Sequence, residues 1–178
     1  VAVGTNALGG THANNATDYT VAIGHNAMAG AVDAASHSVA IGYAASNVAT
    51  TGSENVVIGS GAGVAHTSTA QMVLIGRQAG DAINSADADG TVAIGYQAGT
   101  AITSGNGNLC IGSKSGQALS TADHSIAIGK EAMQVHTTGV RNIAIGFQSM
   151  VNTDAGVSSL GSTDNIFMGF QSGAGAWT

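Results

Sequence analysis

Apolar triplets closed by glycine recur along the whole chain, most often as Val-Ala-Ile-Gly, with small and polar residues between them. The intervals between closing glycines run from 17 to 23 residues, and five of the nine are 17. A short period repeated over the full length is typical of a solenoid, in which each repeat forms one coil stacked on the next. The closing glycines are Gly4, Gly24, Gly42, Gly59, Gly76, Gly95, Gly112, Gly129, Gly146 and Gly169.

The two outer residues of each triplet are large and mostly β-branched, as in Val92 and Ile94. They stand two residues apart, so a strand would point both side chains to the same face. We expect this face to line the interior of the coil, because β-branched side chains pack well on a pleated surface. The first outer position holds Val1, Val21, Val39, Val56, Val73, Val92, Leu109, Ile126, Ile143 and Ile166, and the second holds Val3, Ile23, Ile41, Ile58, Ile75, Ile94, Ile111, Ile128, Ile145 and Met168.

The middle residue of each triplet points to the opposite face and is never polar. A strand with one solvated face alternates apolar and polar residues, whereas a strand that is apolar on both faces is buried on both. An uncovered apolar column would be an exposed stripe of the kind that soluble monomers avoid. We therefore expect a second copy of the chain to cover this column. Its members are Ala2, Ala22, Ala40, Val57, Leu74, Ala93, Cys110, Ala127, Ala144 and Phe167.

The residues after each triplet indicate how the coil turns. Glycine suits a bend with positive φ, and a small residue three positions later, such as Ala98 after Gly95, predicts a tight corner. The remaining segments are rich in Thr, Ser, Gly, Asn and Asp, which favour turns. For these segments, of which Thr100–Gly107 and Gln117–Asp123 are examples, we expect a weaker return strand and a second turn.

The fold class that follows is all-β, a parallel β-roll or β-solenoid of about ten short rungs. At about 4.8 Å per rung such a rod would be roughly 45–50 Å long. The longest intervals predict bulging loops at Asp154–Gly161 and, on a smaller scale, at Asp81–Gly90. Because the chain opens inside a repeat and solenoids require capping repeats, we expect residues 1–178 to be one solenoid segment of a longer fibrous protein.

Composition supports a thin core and argues against several partners. Aromatic residues are 4% of the chain, too few for a thick core. The formal net charge is −6 with only four cations, which argues against nucleic acid and anionic membrane surfaces as partners. No apolar run approaches the roughly 20 residues of a membrane helix, so no membrane insertion is expected. The single cysteine, Cys110, stands where most repeats have Ala, and we expect a buried small residue there.

Residues able to act as catalysts or metal ligands are scattered along the chain. The only glutamates, Glu54 and Glu131, occupy different slots of distant repeats, so they do not form the paired carboxylates of a glycosidase. Asp87 and Asp89 are interpreted as a solvated turn, with a weak cation site as the alternative, because the downstream ligands of a calcium loop are missing. We expect no catalytic residue, no metal, no cofactor and no enzymatic activity.

The six histidines lack the spacing of zinc ligands and are expected at surface or turn positions. Packing of three copies around an axis, which would bring equivalent histidines together, is the alternative. Within the repeat, His37 shares a slot with His124, and His66 shares one with His136.

A column of aromatic residues follows the closing glycine. We expect these rings to pack over the rung corner or against a neighbouring chain. Stacking on the sugar rings of a cell surface is the alternative. The column consists of Tyr43, Tyr96, Phe147 and Phe170.

Several repeats resemble those of known fibrous proteins. The segments 91–99, Thr-Val-Ala-Ile-Gly-Tyr-Gln-Ala-Gly, and 142–149, Asn-Ile-Ala-Ile-Gly-Phe-Gln-Ser, resemble repeats of bacteriophage tail fibres. The segments 38–42 and 125–129 also resemble the head repeats of trimeric autotransporter adhesins. The resemblance implies a left-handed parallel β-roll wound as a homotrimer. The period of 17 is longer than that of autotransporter heads and fits the fibre type better.

The function implied by this resemblance is structural. We expect a shaft or head segment of a trimeric phage tail fibre, located on the virion and serving host attachment. Its partners would be its own copies and a glycan or protein of the host surface, with receptor-binding residues not assigned. The alternative is the head of a trimeric autotransporter adhesin on a bacterial surface. A polysaccharide depolymerase spike is the least favoured interpretation.

Overall fold

The computed structural model describes residues 1–10, 19–30, 36–152 and 162–175. Within these ranges ten short strands form one parallel sheet, in which each strand pairs with its neighbours in chain order. This confirms the predicted all-β parallel solenoid. The strands are β1 Ala2–Val3, β2 Val21–Ile23, β3 Val39–Ile41, β4 Val56–Ile58, β5 Val73–Ile75, β6 Val92–Ile94, β7 Leu109–Ile111, β8 Ile126–Ile128, β9 Ile143–Ile145 and β10 Ile166–Met168.

The strands coincide with the apolar triplets, and equivalent triplet positions pair across the sheet. Between β3 and β4, for example, Ala40 lies opposite Val57 and Ile41 opposite Ile58. A short 3-10 helix, Ala86–Ala88, occupies the smaller bulge that the sequence predicted. The larger predicted bulge, Asp154–Gly161, lies outside the described residues. Left-handed winding stays a prediction from the resemblance.

The two faces of the sheet are the reverse of those expected from the sequence. The middle residues of β2 to β9 are buried within their own coil, while the outer Val, Leu and Ile residues are partly exposed on its outside. The expectation that Val and Ile line the interior was therefore wrong, and so was the expectation that a second copy covers the alanine column. From β2 to β9 that column is already covered by the chain that carries it.

The reason for this reversal is the narrow width of the coil. After the glycine corner the chain folds back directly over the middle residue, so that a Cβ added to Gly80 would lie 2.7 Å from Cδ2 of Leu74. The slot three residues after Gly80 carries the buried Ile83, and equivalent slots carry Ile102 and Leu119. One long side chain therefore fills the interior of each of these coils. Opposite it there is room only for a small residue or for one further apolar side chain.

The predicted corner after each triplet is confirmed. The closing glycines have φ between 122° and 138°. In the corner after β6, the backbone N–H of Ala98 donates to the carbonyl oxygen of Gly95 over 3.3 Å. A Cβ on Gly112 would lie 2.6 Å from the carbonyl oxygen of Gly129, the closing glycine of the next rung. Glycine is thus required both by its backbone angle and by the close approach of the next coil.

The predicted return strand does not form in the described residues. The segments after the corner are turns, in which residues with positive φ, such as Gln97 and Gly99, alternate with ordinary ones and prevent an extended backbone. These turns still bond from coil to coil: the N–H of Gly99 donates to Ser115 over 2.9 Å, and that of Thr103 donates to Ser120 over 3.0 Å. Backbone hydrogen bonds therefore join neighbouring coils around much of their circumference.

Candidate interaction surface

The outer face of the sheet is an uninterrupted aliphatic surface, which we call the aliphatic face. Successive residues alternate between the interior and the outside of the coil, as in β4, where Val56 and Ile58 are half-exposed and Val57 is buried. The same alternation holds from β3 to β9. The face consists of the two outer triplet columns defined above, and no polar residue occurs in either of them.

Two exposed columns border the aliphatic face. The leading flank lies two residues before each strand, and the trailing flank lies directly after each closing glycine. All members are exposed except the two beside β7, which are half-exposed. The leading flank consists of Tyr19, His37, Glu54, Gln71, Gly90, Gly107, His124, Arg141 and Asp164. The trailing flank consists of Thr5, His25, Tyr43, Ser60, Arg77, Tyr96, Ser113, Lys130, Phe147 and Phe170.

The trailing flank contains the aromatic column found in the sequence. The rings of Phe147 and Phe170 stack with centroids 5.6 Å apart, and Tyr43 stacks on His25 at 5.4 Å. The guanidinium of Arg77 lies 5.7 Å from the ring centroid of Tyr96, a cation–π distance. These rings therefore stack along the rod on side chains of neighbouring rungs, and their packing over the rung corner or against a neighbouring chain stays a prediction. Tyr43 is nevertheless 60% exposed, and stacking on sugars stays a prediction.

The leading flank is held by polar bonds between neighbouring rungs. Arg141 donates two hydrogen bonds to the carboxylate of Asp164, at 2.6 and 2.9 Å. These bonds lower the pKa of Asp164 and raise that of Arg141. Gln71 donates to Oε2 of Glu54 over 3.1 Å. Exposed polar side chains therefore link neighbouring rungs on this flank.

The glutamates lie on opposite sides of the aliphatic face. Glu54 precedes β4 on the leading flank, whereas Glu131 follows β8 next to the trailing flank. Gln148 donates to Glu131 over 2.8 Å, and this bond is the main cause of its lowered pKa. The two carboxylates do not form a pair, as the sequence predicted.

Asp87 lines a polar cleft, and the carboxylates of both Asp87 and Asp89 already accept hydrogen bonds within the chain. Oδ1 of Asp89 accepts a hydrogen bond from the N–H of Ala70 over 2.7 Å, and Oδ2 of Asp87 accepts one from Ser85 over 3.1 Å. The adjacent cleft has a volume of about 370 Å³. Its lining residues are Asp87, Ser104, Asn106, Thr121 and Asp123.

The histidines that the structure describes divide into two groups, and His12 lies outside the described residues. His37 and His124 on the leading flank and His25 on the trailing flank are exposed, as expected. His66 and His136 are fully buried, and the expectation of surface or turn positions was wrong for them. They occupy the slot that holds Ile102 in another coil, four residues after the small corner residue. That shared slot was the sequence signal for their burial.

The environment of His66 is closed and polar. Its Nδ1 lies 2.6 Å from the carbonyl oxygen of Gly63, and its Nε2 lies 3.1 Å from Oγ of Ser46. Burial lowers the pKa of the imidazole, against a smaller opposing effect of the bond to Gly63. Both ring nitrogens are engaged by the protein, so His66 is a structural residue.

Cys110 is buried in the middle position of β7, as the sequence predicted. Burial raises the pKa of its thiol to about 12, so it carries no thiolate at neutral pH. Among the residues described by the structure, no three or more His, Cys, Asp or Glu side chains are grouped as metal ligands. In the same ranges no helix is long and apolar enough to cross a membrane.

Comparison with known proteins gives no match to a protein-family model, a curated protein or a solved structure. The chemistry of the molecule's own surfaces must therefore indicate what it does. Of these surfaces, the aliphatic face extends along all ten strands, the trailing flank accompanies it from β1 to β10 and the leading flank from β2 to β10. It is the candidate interaction site of the chain.

Proposed function

We propose that this chain is a structural segment of a homotrimeric phage tail fibre that serves attachment to the host. The single observation that carries the proposal is the aliphatic face, which presents two columns of Val, Leu and Ile to the outside of a regular rod. A soluble protein rarely leaves so continuous an apolar surface in water, and such surfaces mark contacts with other molecules.

The size of the surface suits a stable contact between protein chains. Ten rungs at about 4.8 Å and a width of about 20 Å from flank to flank give roughly 900 Å². A stable protein interface buries about 800 Å² on each partner. Copies of the same chain are the simplest occupants, because most soluble assemblies are symmetric homo-oligomers. The three-fold state follows from the resemblance of the repeats to fibre proteins.

The mechanical role follows from the way the coils are joined. Each strand from β2 to β9 is paired on both sides, so among the ten described strands only β1 and β10 present an unpaired edge. Mutual burial of the aliphatic faces would stiffen the rod and protect it from proteases. Such a segment holds the receptor-binding part of a fibre away from the virion. It needs no catalytic residue, metal or cofactor for this role.

The assembly is tested by the mass of the purified chain in solution. Light scattering is expected to give three times 17.3 kDa for the wild-type chain. Ile94→Lys places a charge in the middle of the aliphatic face and should yield smaller species. Thr121→Lys, an exposed turn position away from the face, is the matched control and should keep the wild-type mass. A well-folded wild-type monomer would contradict the proposal.

The location is tested by immunogold electron microscopy with antibodies against this segment. Label on the tail fibres of virions is the expected result. Label on the outer surface of bacteria free of phage would instead support the adhesin interpretation. Contact with a host glycan is the alternative use of the trailing flank and requires rings that a neighbouring copy leaves uncovered, such as Phe170, which is 71% exposed in the single chain. Loss of cell binding on Phe170→Ala would support that contact.

A further inference from the structure

We infer that the polar cleft beside Asp87 binds one uncharged sugar residue of a glycan. The cleft has a volume of about 370 Å³ and is lined by Asp87, Ser104, Asn106, Thr121 and Asp123. This volume lies at the lower end of the range of about 300–1,000 Å³ that is usual for small-molecule sites, and such sites orient their ligand with a few convergent polar groups. One chain builds the whole cleft, so sugar binding there does not require the proposed assembly.

The cleft exists because one coil is longer than the two coils that follow it. The interval from Gly76 to Gly95 is 19 residues, whereas each of the next two intervals is 17. The longer coil contains the 3-10 turn Ala86–Ala88, which brings Asp87 to the same cleft as the turn residues of the next two coils. The cleft is therefore a local feature of three coils and not a groove repeated along the rod.

Hydrogen bonds hold this longer turn in place. Oδ1 of Asp89 accepts a hydrogen bond from the N–H of Ala70 over 2.7 Å, and the N–H of Gly90 donates to the carbonyl oxygen of Ala70 over 3.2 Å. Oγ1 of Thr91 donates to the carbonyl oxygen of the buried Ala88 over 2.8 Å. The backbone beside the cleft is thus ordered before a ligand arrives, which lowers the entropic cost of binding.

The side chains that line the cleft keep polar atoms available for a ligand. The carboxylate of Asp123 accepts the N–H of Asn106 on Oδ1 over 2.8 Å, and that of Asp87 accepts one hydrogen bond on Oδ2. Among the described residues, none donates to the other oxygen of either carboxylate, and the two hydroxyls of the cleft form no side-chain hydrogen bond. The neighbouring hydroxyls of Thr103 and Ser120 differ, because they donate to carbonyl oxygens of the next coil over 3.1 and 3.2 Å.

The chemistry of the lining favours a ligand with several hydroxyl groups. Ionised carboxylates only accept hydrogen bonds, whereas hydroxyl and amide groups both donate and accept them. Adjacent hydroxyls of a sugar ring can donate to the carboxylates and also accept from the amide of Asn106. The five lining residues of the described cleft include no cation that would pair with a phosphate or an acidic sugar, and no apolar side chain that would cover a lipid.

A bound metal ion suits the cleft less well. Calcium takes about six to eight oxygen ligands around one point, and carboxylates are prominent among them. Within the described ranges no three acidic or other metal-binding side chains are grouped. The carboxylates of the cleft, Asp87 and Asp123, also belong to different coils.

The polar lining has a definite length along the rod. Asn106 and Asp123 occupy one slot of consecutive coils, and the next coil has Val140 in that slot. Two coils extend over about 10 Å, so the cleft offers room for a short part of a glycan and not for a long chain.

Saturation-transfer difference NMR on the full chain tests the inference, with the methyl glycosides of glucose, galactose, mannose and N-acetylglucosamine as probes. At least one of them should bind the wild type. Asp87→Asn removes an acceptor charge and Thr121→Lys fills the cleft, and each should weaken binding at least about tenfold. Thr51→Lys is the matched control, because Thr51 occupies the same exposed slot outside the cleft, and it should bind like the wild type.

The outcomes separate the cleft from the proposed assembly. A monomeric wild-type chain that still binds a glycoside would contradict the assembly and support the cleft. Failure of all four glycosides to bind, or equal binding by Thr121→Lys, would overturn the inference. Binding lost in Phe170→Ala but retained in both cleft variants would assign the sugar to the trailing flank and would also overturn it. Binding of calcium or spermidine in place of the glycosides would identify a cation site instead.

Discussion

At the scale of single residues, the closing glycine of each triplet is the position where sequence and geometry agree most closely. It is the one residue present in all ten repeats. Its φ lies in a range that side chains with a Cβ rarely adopt, and the next coil passes within contact distance of the missing Cβ. The regular spacing of these glycines is therefore a consequence of the stacking of one coil on the next.

Gly112→Ala should destabilise the protein strongly. Gly112 has a φ of 127°, and the new Cβ would lie 2.6 Å from the carbonyl oxygen of Gly129. Backbone strain and overpacking together are expected to cost about 3–5 kcal/mol, measured by urea denaturation. Gly90→Ala is the matched control, since Gly90 has a φ of 73° but open space around it. Gly90→Ala should cost about 1–2 kcal/mol of stability. Equal losses of stability in the two variants would contradict the role assigned to the close approach of the next coil.

His66 should make the stability of the coil sensitive to acid. The pKa of its imidazole in the folded state lies below the ordinary value of 6.5, so the unfolded chain binds the proton more readily than the folded one. The free energy of unfolding is therefore complete above about pH 6.5 and falls as pH decreases from there towards the lowered folded-state pKa. His66→Leu, which places in this slot the residue type found at Leu119, should flatten the profile over this window.

The measurement for His66 is urea denaturation at several pH values between 5 and 8, on the wild type, His66→Leu and a control variant. His124→Gln is the control for the loss of a histidine, because His124 is exposed on the leading flank and not in the interior of the coil. An unchanged slope in His66→Leu would show that other groups cause the acid sensitivity.

At the scale of the strand and its turns, buried asparagines join one coil to the next. Nδ2 of Asn108 donates to the carbonyl oxygen of Ala122, and its Oδ1 accepts from the N–H of Ser125 over 2.9 Å. Asn55 makes the equivalent pair of bonds with Thr69 and Met72. These side chains satisfy backbone groups before β5 and β8 that would otherwise be buried without a partner.

Asn108→Ala should therefore destabilise the coil by about 2–4 kcal/mol, since two buried backbone groups lose their partners. The exposed Asn84 provides the control, and Asn84→Ala should change stability by less than about 0.5 kcal/mol. Thermal unfolding followed by circular dichroism gives both values. A small loss in Asn108→Ala would mean that water replaces the amide within the coil.

Much of the element-scale structure could be predicted from the sequence, but not which face is buried. Strand positions and register follow from the triplets, since equal slots must pair when coils stack. Alternation shows that Ala93 points away from Val92 and Ile94, yet with both faces apolar it does not show which one points inward. The buried Ile102 decides this, because it already occupies the interior opposite Ala93. The sequence carries that residue, but its effect depends on the tight turn before it.

The interaction surface was less predictable for the same reason. The aromatic column was visible as a repeat slot, and its packing along the rod follows from the spacing of the coils. The role of the aliphatic face depended on the orientation of the triplet. Once Val56 and Ile58 are placed outside, the residues at Glu54 and Ser60 become flanks of one surface. That Glu54 and Ser60 border the same surface could not be inferred from the repeat pattern alone.

At the scale of the whole molecule, the stability of the rod is expected to depend on its concentration. Copies that cover each other's aliphatic faces bind the folded state only, so mass action raises the apparent stability as the chain concentration increases. Wild-type protein should show a higher Tm at each tenfold increase in concentration, measured by calorimetry. Ile94→Lys should lower the Tm and reduce this dependence, while Thr121→Lys should retain it. A wild-type Tm that is the same at every concentration would show that each coil is stable without a partner, and the aliphatic face would then need another occupant.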